Sequence, residues 1–178
     1  MKTDLLLVVD VQQGFLRNGS DAVLPAICRL MDSCRAHGVP NVCTRFINRP
    51  ESQFERWIGW RRLRTSPEID LHPDILRRAD RVIDKTVYSS FTDEFRTHLS
   101  TLGTKRLIVC GIATDGCVLK SAVDAFELNV EPVVVEDACS SHAGPDVHKA
   151  GILLISRFIG AGQVRAMQDV LGMIGAAS

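Results

Sequence analysis

The chain has 178 residues, 46% of them hydrophobic and 24% charged, and its 21 basic residues balance 21 acidic ones. That is enough for one domain with a core of its own, and the composition is that of an ordinary globular protein. A formal net charge of zero leaves no field to gather nucleic acid or an anionic membrane surface, so neither is an expected partner.

In chain order, the apolar run 5–9 reads as a first strand buried on both faces, and it is too short for a membrane span or a full signal-peptide core. An amphipathic stretch of helical spacing follows over 23–37, closed by Gly38, and a second strand over 39–46. After a long connection, 82–83 gives a third strand and 91–102 a helix closed by Gly103. A fourth strand over 106–110 leads to a helix beginning near Cys117 and running to 128. The run 132–135 is a fifth strand, 146–158 a helix, and 163–167 a last short strand before a terminal helix. This β-α alternation predicts a single α/β domain over 1–178. Its sheet is mainly parallel, in a three-layer α/β/α arrangement with right-handed crossovers.

The connection 47–80 exceeds the ~12–15 residues at which loops are usually functional or disordered. It holds both tryptophans, Trp57 and Trp60, with Phe54 and the arginines 56, 61, 62 and 64. Two readings stand: a surface helix whose aromatics dock on the domain or a second subunit, or a lid carrying an arginine for a substrate carboxylate.

In an open parallel sheet, ligands bind beyond the carboxyl ends of the strands. Asp10 ends the first strand, Lys85 ends the third, and Cys117 follows the fourth, so a carboxylate, an amine and a thiol emerge on one edge. That combination suits nucleophilic catalysis. The turn after the first strand has no G-x-G-x-x-G and no G-x-x-x-x-G-K-[ST], and no G-x-S-x-G elbow occurs, which sets aside nucleotide binding and serine hydrolysis. A place near a helix N-terminus would lower the Cys117 thiol pKa, whereas Cys28, Cys34, Cys43 and Cys110 read as inert packing. Six cysteines without a C-x-x-C pair fit reduced thiols in a cytoplasm better than a disulfide framework or a structural zinc site.

Three blocks resemble the isochorismatase-like cysteine hydrolases, which include nicotinamidases and N-carbamoylsarcosine amidases. Leu6-Leu7-Val8-Val9-Asp10-Val11-Gln12-Gln13-Gly14-Phe15 is similar to the family's strand followed by D-x-Q-x-x-F. Asp84-Lys85-Thr86-Val87-Tyr88-Ser89-Ser90-Phe91 is similar to its K-x-x-Y-S-x-F. Cys110-Gly111-Ile112-Ala113-Thr114-Asp115-Gly116-Cys117-Val118, with Ala122-Val123-Asp124-Ala125 downstream, resembles its nucleophile motif G-x-x-T-x-x-C-V.

The resemblance implies a six-stranded, Rossmann-like sheet of order 3-2-1-4-5-6 and a catalytic triad of Asp10, Lys85 and Cys117. It also implies a cis peptide before Ala113 that turns the N–H groups of Ala113 and Cys117 into an oxyanion hole. Gln12 would orient neighbours or meet substrate. Phe15 and Tyr88 would wall the pocket with Trp57 or Trp60, and Arg45 could read a carboxylate. The nicotinamidase metal ligands are missing, because the stretch after the second strand reads Thr44-Arg45-Phe46-Ile47-Asn48-Arg49 with no histidine. The expectation is therefore a metal-free, cofactor-free cysteine amidase cleaving a C–N bond of a small amide, carbamoyl or ureido substrate, in a homo-oligomer. The alternatives are an isochorismatase-like or nicotinamidase-like hydrolase and a catalytically inactive binding or scaffold member.

Overall fold

The structure is a computed structural model that describes residues 3–176; residues 1, 2, 177 and 178 of the expected domain lie outside them. Strand β1 (Asp4–Val9) is buried along its whole length, as an apolar run flanked on both sides must be. It lies between β2 (Asn41–Phe46) and β4 (Arg106–Ile112), with β3 (Arg81–Lys85) outside β2 and β5 (Glu131–Ser140) outside β4. The two-residue β6 (Val164–Arg165) completes the order β3-β2-β1-β4-β5-β6. Every pairing is parallel, and residue 8 of β1 sits opposite Cys43 on one side and Cys110 on the other. The chain reverses its direction of travel across the sheet between β1 and β4, which is the topological switch point where such sheets bind ligands.

Helices cover both faces: α1 (Leu24–Ala36), α2 (Gln53–Ile58), α3 (Pro73–Leu76), α4 (Asp93–Leu102), α5 (Leu119–Glu127), α6 (Pro145–Ile159) and α7 (Met167–Gly175). Their starts follow from side-chain chemistry. Ser52 accepts the Glu55 N–H ahead of α2, and Thr92 accepts the Phe95 N–H ahead of α4, each satisfying an orphan donor of the first turn. A short 3₁₀ turn, Ser20–Val23, precedes α1, so the expected 23–37 helix begins one residue later than its periodicity suggests. β5 runs well past the expected 132–135, because its carboxyl half pairs with β4 across an irregularity in register.

The connection 47–80 is held firmly. Asn48 donates to the carbonyls of Trp60 and Arg62 at 3.0 and 3.1 Å. The Gln13 and Gly14 N–H groups donate to the carbonyls of Asp70 and Glu68, both at 2.9 Å. Glu55 gathers Arg61 and Arg64 at 2.8 and 2.6 Å, and Arg62 pairs with Glu68. Those arginines serve the segment's own fold. Among the described residues, no helix is long and apolar enough to cross a membrane.

Candidate active site

Asp10, Lys85 and Cys117 meet at the carboxyl edge of the sheet. Asp10 leaves β1 with φ 48°, a left-handed backbone that aspartate tolerates better than most residues. Thr44 on β2 fixes the resulting carboxylate: its hydroxyl donates to Oδ1 at 2.7 Å and accepts the Asp10 N–H at 3.2 Å. Lys85 reaches inward from β3, two strands away, and places its Nζ 2.7 Å from Asp10 Oδ2 with both side chains fully buried. The same ammonium donates to Cys117 Sγ at 3.3 Å and to the carbonyls of Val87 and Tyr88 at 2.9 and 3.1 Å. It also lies 5.4 Å from the centre of the Phe46 ring, within cation–π range. The Asp10 carboxylate thus faces both the Lys85 ammonium and the Cys117 thiol.

Cys117 does not begin a helix as the sequence suggests. A π-helical turn, Thr114–Val118, precedes α5 and contains it. The Ala113 carbonyl accepts from Gly116 N at 3.0 Å and from Val118 N at 3.1 Å, so the wide turn closes on the residue after the nucleophile candidate. Such turns are frequent at functional sites. The Ile112–Ala113 peptide is cis. Two glycines let this turn sit where it does. Gly111 has φ +123°, and a Cβ there would stand 2.2 Å from the Val9 carbonyl oxygen. A Cβ on Gly151 of α6 would stand 2.9 Å from the Asp115 nitrogen. His148, on the same helix, holds Thr114 through a 2.8 Å Oγ1···Nδ1 bond.

Electrostatics correct one expectation. The Cys117 thiol pKa is raised rather than lowered: burial is the largest cause and the Asp10 carboxylate adds to it, while Lys85 pulls the other way. The free protein therefore holds its proton on sulfur. Burial works to strip Lys85 of its proton, but Asp10 and Cys117 outweigh it and keep the ammonium above the ordinary lysine value. Burial also pushes Cys34, Cys43 and Cys139 up to about 12.

The sulfur lies at the wall of a cavity of about 600 Å³, to which the segment 47–80 contributes Phe54, Ile58 and Trp60. Phe15 stacks on Trp60 at 5.8 Å, and Tyr88 meets Phe54 edge-on at 5.0 Å. Phe15, Tyr88 and Trp60 line the cavity as expected, but three other candidates do not. Trp57 is 79% exposed and does not reach the cavity. Arg45 is engaged by Asp84 in a two-pronged pair at 2.7 and 2.8 Å, because alternation along β2 turns it away from the Thr44 side. Gln12 spends its whole amide on backbone, donating to Phe46 O and Ile69 O at 2.8 Å and accepting from Phe46 N at 2.7 Å. It braces β2 against the long segment, as an orienting residue would, and does not line the cavity.

Sequence reasoning named Phe54 among the aromatics of the long connection but missed Asp115, Lys120 and His142; all four line the cavity. The carboxyl-edge rule could have pointed to His142, which follows β5, and to Asp115, two residues before the thiol. Burial holds the His142 pKa below the ordinary histidine value, with nearby Arg17 adding to it. Among the described residues, no group of three or more His, Cys, Asp or Glu side chains is placed to hold a metal ion.

An all-parallel sheet of this order, with an acid, an amine and a thiol buried together at its switch point, defines a three-layer α/β/α fold carrying a candidate nucleophile site. The chain belongs to the isochorismatase family, whose domain model matches residues 4–164. It is 36% identical over 104 residues to the ureidoacrylate amidohydrolase RutB of Agrobacterium fabrum, a match taking in 56% of the chain and only 43% of that relative. The RutB of Azorhizobium caulinodans is 29% identical over 175 residues, covering 83% of the chain and 75% of the relative. Among solved structures, a cysteine hydrolase from Pseudomonas syringae pv. phaseolicola 1448A superposes with a TM-score of 0.87 at 20% identity, covering 99% of this chain and 94% of that one. That likeness is one of fold.

Proposed function

We propose that the protein is a cysteine amidohydrolase that cleaves the C–N bond of a small amide, carbamoyl or ureido compound through a thioester on Cys117. The observation that carries this reading is the Lys85 ammonium lying between the Asp10 carboxylate, at 2.7 Å, and the Cys117 sulfur, at 3.3 Å, beside an aromatic cavity. The resemblance to amidohydrolases named for ureidoacrylate supports the substrate class.

Because the resting thiol is protonated, attack and proton transfer belong to one step. Asp10, whose carboxylate is hydrogen-bonded to the thiol, takes the thiol proton as Sγ bonds to the amide carbon. Lys85 steadies the negative charge as it moves from sulfur to the amide oxygen. The backbone N–H groups of Ala113 and Cys117 receive that oxygen; losing one such donor typically costs ~10²–10³ in rate. The tetrahedral adduct collapses, the C–N bond breaks, and Asp10 gives its proton to the departing nitrogen. Water then attacks the thioester while Asp10 takes its proton, and sulfur leaves as the thiol. Only protein groups take part in this scheme.

The reading also includes the segment 47–80 as a wall over the substrate, a cytoplasmic location suited to six free cysteines, and a homo-oligomer. Exposed Leu153 and Phe158 on α6, with Phe126 on α5, support a subunit contact, which light scattering would test. The deciding experiment is ammonia release from nicotinamide, maleamate, N-carbamoyl amino acids, biuret and ureidoacrylate, with Cys117→Ala as control. Release that disappears in the variant supports the amidase. Silence across the panel together with uniform alkylation of all six thiols supports the inactive member instead.

A further inference from the structure

The loop between β3 and α4 is anchored on the helix that follows the thiol. Ser89 donates its hydroxyl to Asp124 Oδ2 at 2.6 Å and accepts the Phe91 N–H at 3.0 Å. Ser90 donates its N–H to the Ser121 hydroxyl at 3.2 Å, and that hydroxyl donates back to Ser90 Oγ at 2.8 Å. Ser121 and Asp124 are buried on α5 and, three residues apart, share one of its faces. The other Asp124 oxygen is ion-paired with Lys120. Two carbonyls of the same loop, those of Val87 and Tyr88, accept the Lys85 ammonium at 2.9 and 3.1 Å. Val87 and Tyr88 are themselves exposed, and the serine anchors follow them at once. The Tyr88 carbonyl lies in the planar peptide that joins it to Ser89, so fixing Ser89 fixes where that carbonyl points.

We propose that Asp124 is a positioning residue that, through Ser89, holds the carbonyls of the β3–α4 loop on the Lys85 ammonium and so sets it 3.3 Å from Cys117 Sγ. This deepens the amidase reading above and rests on it for its part in catalysis. An ammonium on a flexible four-carbon stem has three N–H groups and no preferred plane, so once buried it takes the place its acceptors give it. Asp10 supplies one acceptor and the loop two. With the loop released, the ammonium would settle on Asp10, and its field at the sulfur would fall with distance. α5 begins directly after the turn that holds Cys117. One helix thus follows the thiol at its start and anchors the lysine's cradle farther along, which sets the nitrogen–sulfur spacing within a single rigid element.

The test is iodoacetamide alkylation of Cys117 at pH 8, read by mass spectrometry of its peptide, in the full-length protein and in Ser89→Ala, Ser89→Thr and Asp124→Leu. Lys85 lowers the Cys117 pKa, so a displaced ammonium leaves less thiolate. Alkylation should slow about fivefold in Ser89→Ala and Asp124→Leu, and recover in Ser89→Thr, which keeps the hydroxyl. A contact that only braced the fold would, once cut, open the site and speed the reaction. In a Lys85→Met background Ser89→Ala should change nothing further, because contacts acting through one group do not add. Unchanged or faster alkylation in Ser89→Ala, a loss that persists in Ser89→Thr, or further slowing in the Lys85→Met background overturns the proposal. The Ser89 variants decide the matter even where Asp124→Leu fails to fold. Ammonia release from the amide panel judges the amidase reading separately. No release by the unmodified protein removes that reading and leaves alkylation to judge the hold on Lys85. Release that is undiminished in Ser89→Ala overturns the positioning role and leaves the amidase in place.

Discussion

β1 carries a buried aspartate–cation pair at each end, and the two are built to opposite purposes. At the amino end, Asp4 meets Arg106 of the adjacent β4 in a fork of two bonds, 3.0 and 2.6 Å, that occupies both carboxylate oxygens. At the carboxyl end, Asp10 meets a lysine that has crossed from β3 past β2; its Oδ2 takes a single ammonium contact at 2.7 Å, and that ammonium is shared with a sulfur and two carbonyls. A guanidinium fork saturates its carboxylate and fixes geometry. A point-charge ammonium leaves a lone pair open for a proton. Burial and charge are alike at the two ends; what separates them is the lone pair that a single ammonium contact leaves open beside the sulfur.

Replacement of one partner at each end exposes that difference. Asp10→Asn removes the proton acceptor, so kcat should fall by ~10³–10⁴, and it leaves Lys85 buried without its counter-charge, so stability should fall as well. Arg106→Met should cost stability alone. Removing one partner of a buried pair costs about 3–5 kcal/mol, readable as a lower urea midpoint, whereas activity per folded molecule should hold. If Arg106→Met abolished turnover without loss of stability, the amino-end pair would have to be reassigned.

The ends were unequally legible in the sequence. Asp10, Lys85 and Cys117 could be placed because each closes a strand run or opens the helix after one, and the carboxyl-edge rule gathers such residues. The sheet order came from the resemblance of the motif blocks, since hydrophobic runs specify strands and not their neighbours. The pocket wall was half legible. Trp60 faces inward and Trp57 outward because α2 is short and its rotation is set by Asn48, Glu55 and Phe54 contacts that no local pattern encodes. Arg45 was misplaced, and Gln12 orients its neighbours without lining the cavity, for a related reason: their partners, Asp84 and the Phe46 backbone, are known only once β2 is in register. The thiol's raised pKa was illegible because a helix N-terminus argues one way and burial beside a carboxylate argues more strongly the other.

That proton balance yields a third expectation. Asp10 raises the Cys117 pKa and Lys85 lowers it. Asp10→Asn should therefore free more thiolate and speed iodoacetamide alkylation of Cys117 at pH 7–8 by about tenfold, while catalysis collapses. Loss of both together would falsify Asp10 as proton acceptor. The inert thiols have their own pH signature. Cys34, Cys43 and Cys139 ionise near 9 when unfolded and are pushed up to about 12 when folded. Their contribution is intact below pH 9 and is lost as pH rises toward 12, by at most about 1.4 kcal/mol per pH unit for each thiol. Urea midpoints should decline over that window, and Cys117→Ala should decline less steeply than the unmodified protein.

The smallest effect concerns Thr44, which has no counterpart at the amino end. Its hydroxyl both donates to Asp10 Oδ1 at 2.7 Å and accepts the Asp10 N–H at 3.2 Å, so it holds the carboxylate in a rotamer that leaves Oδ2 facing the lysine and the sulfur. Valine has nearly the same shape and neither bond. Thr44→Val should cost about 1–2 kcal/mol, the usual toll for a buried hydrogen bond left unmade. It should lower kcat about three- to tenfold with KM unchanged, because Thr44 does not line the cavity. Thr44→Ser restores the hydroxyl and should recover most of the rate even though it removes a methyl from the packing. Equal losses in Thr44→Val and Thr44→Ser would mean that the methyl, and not the bond to Asp10, positions the carboxyl-end pair.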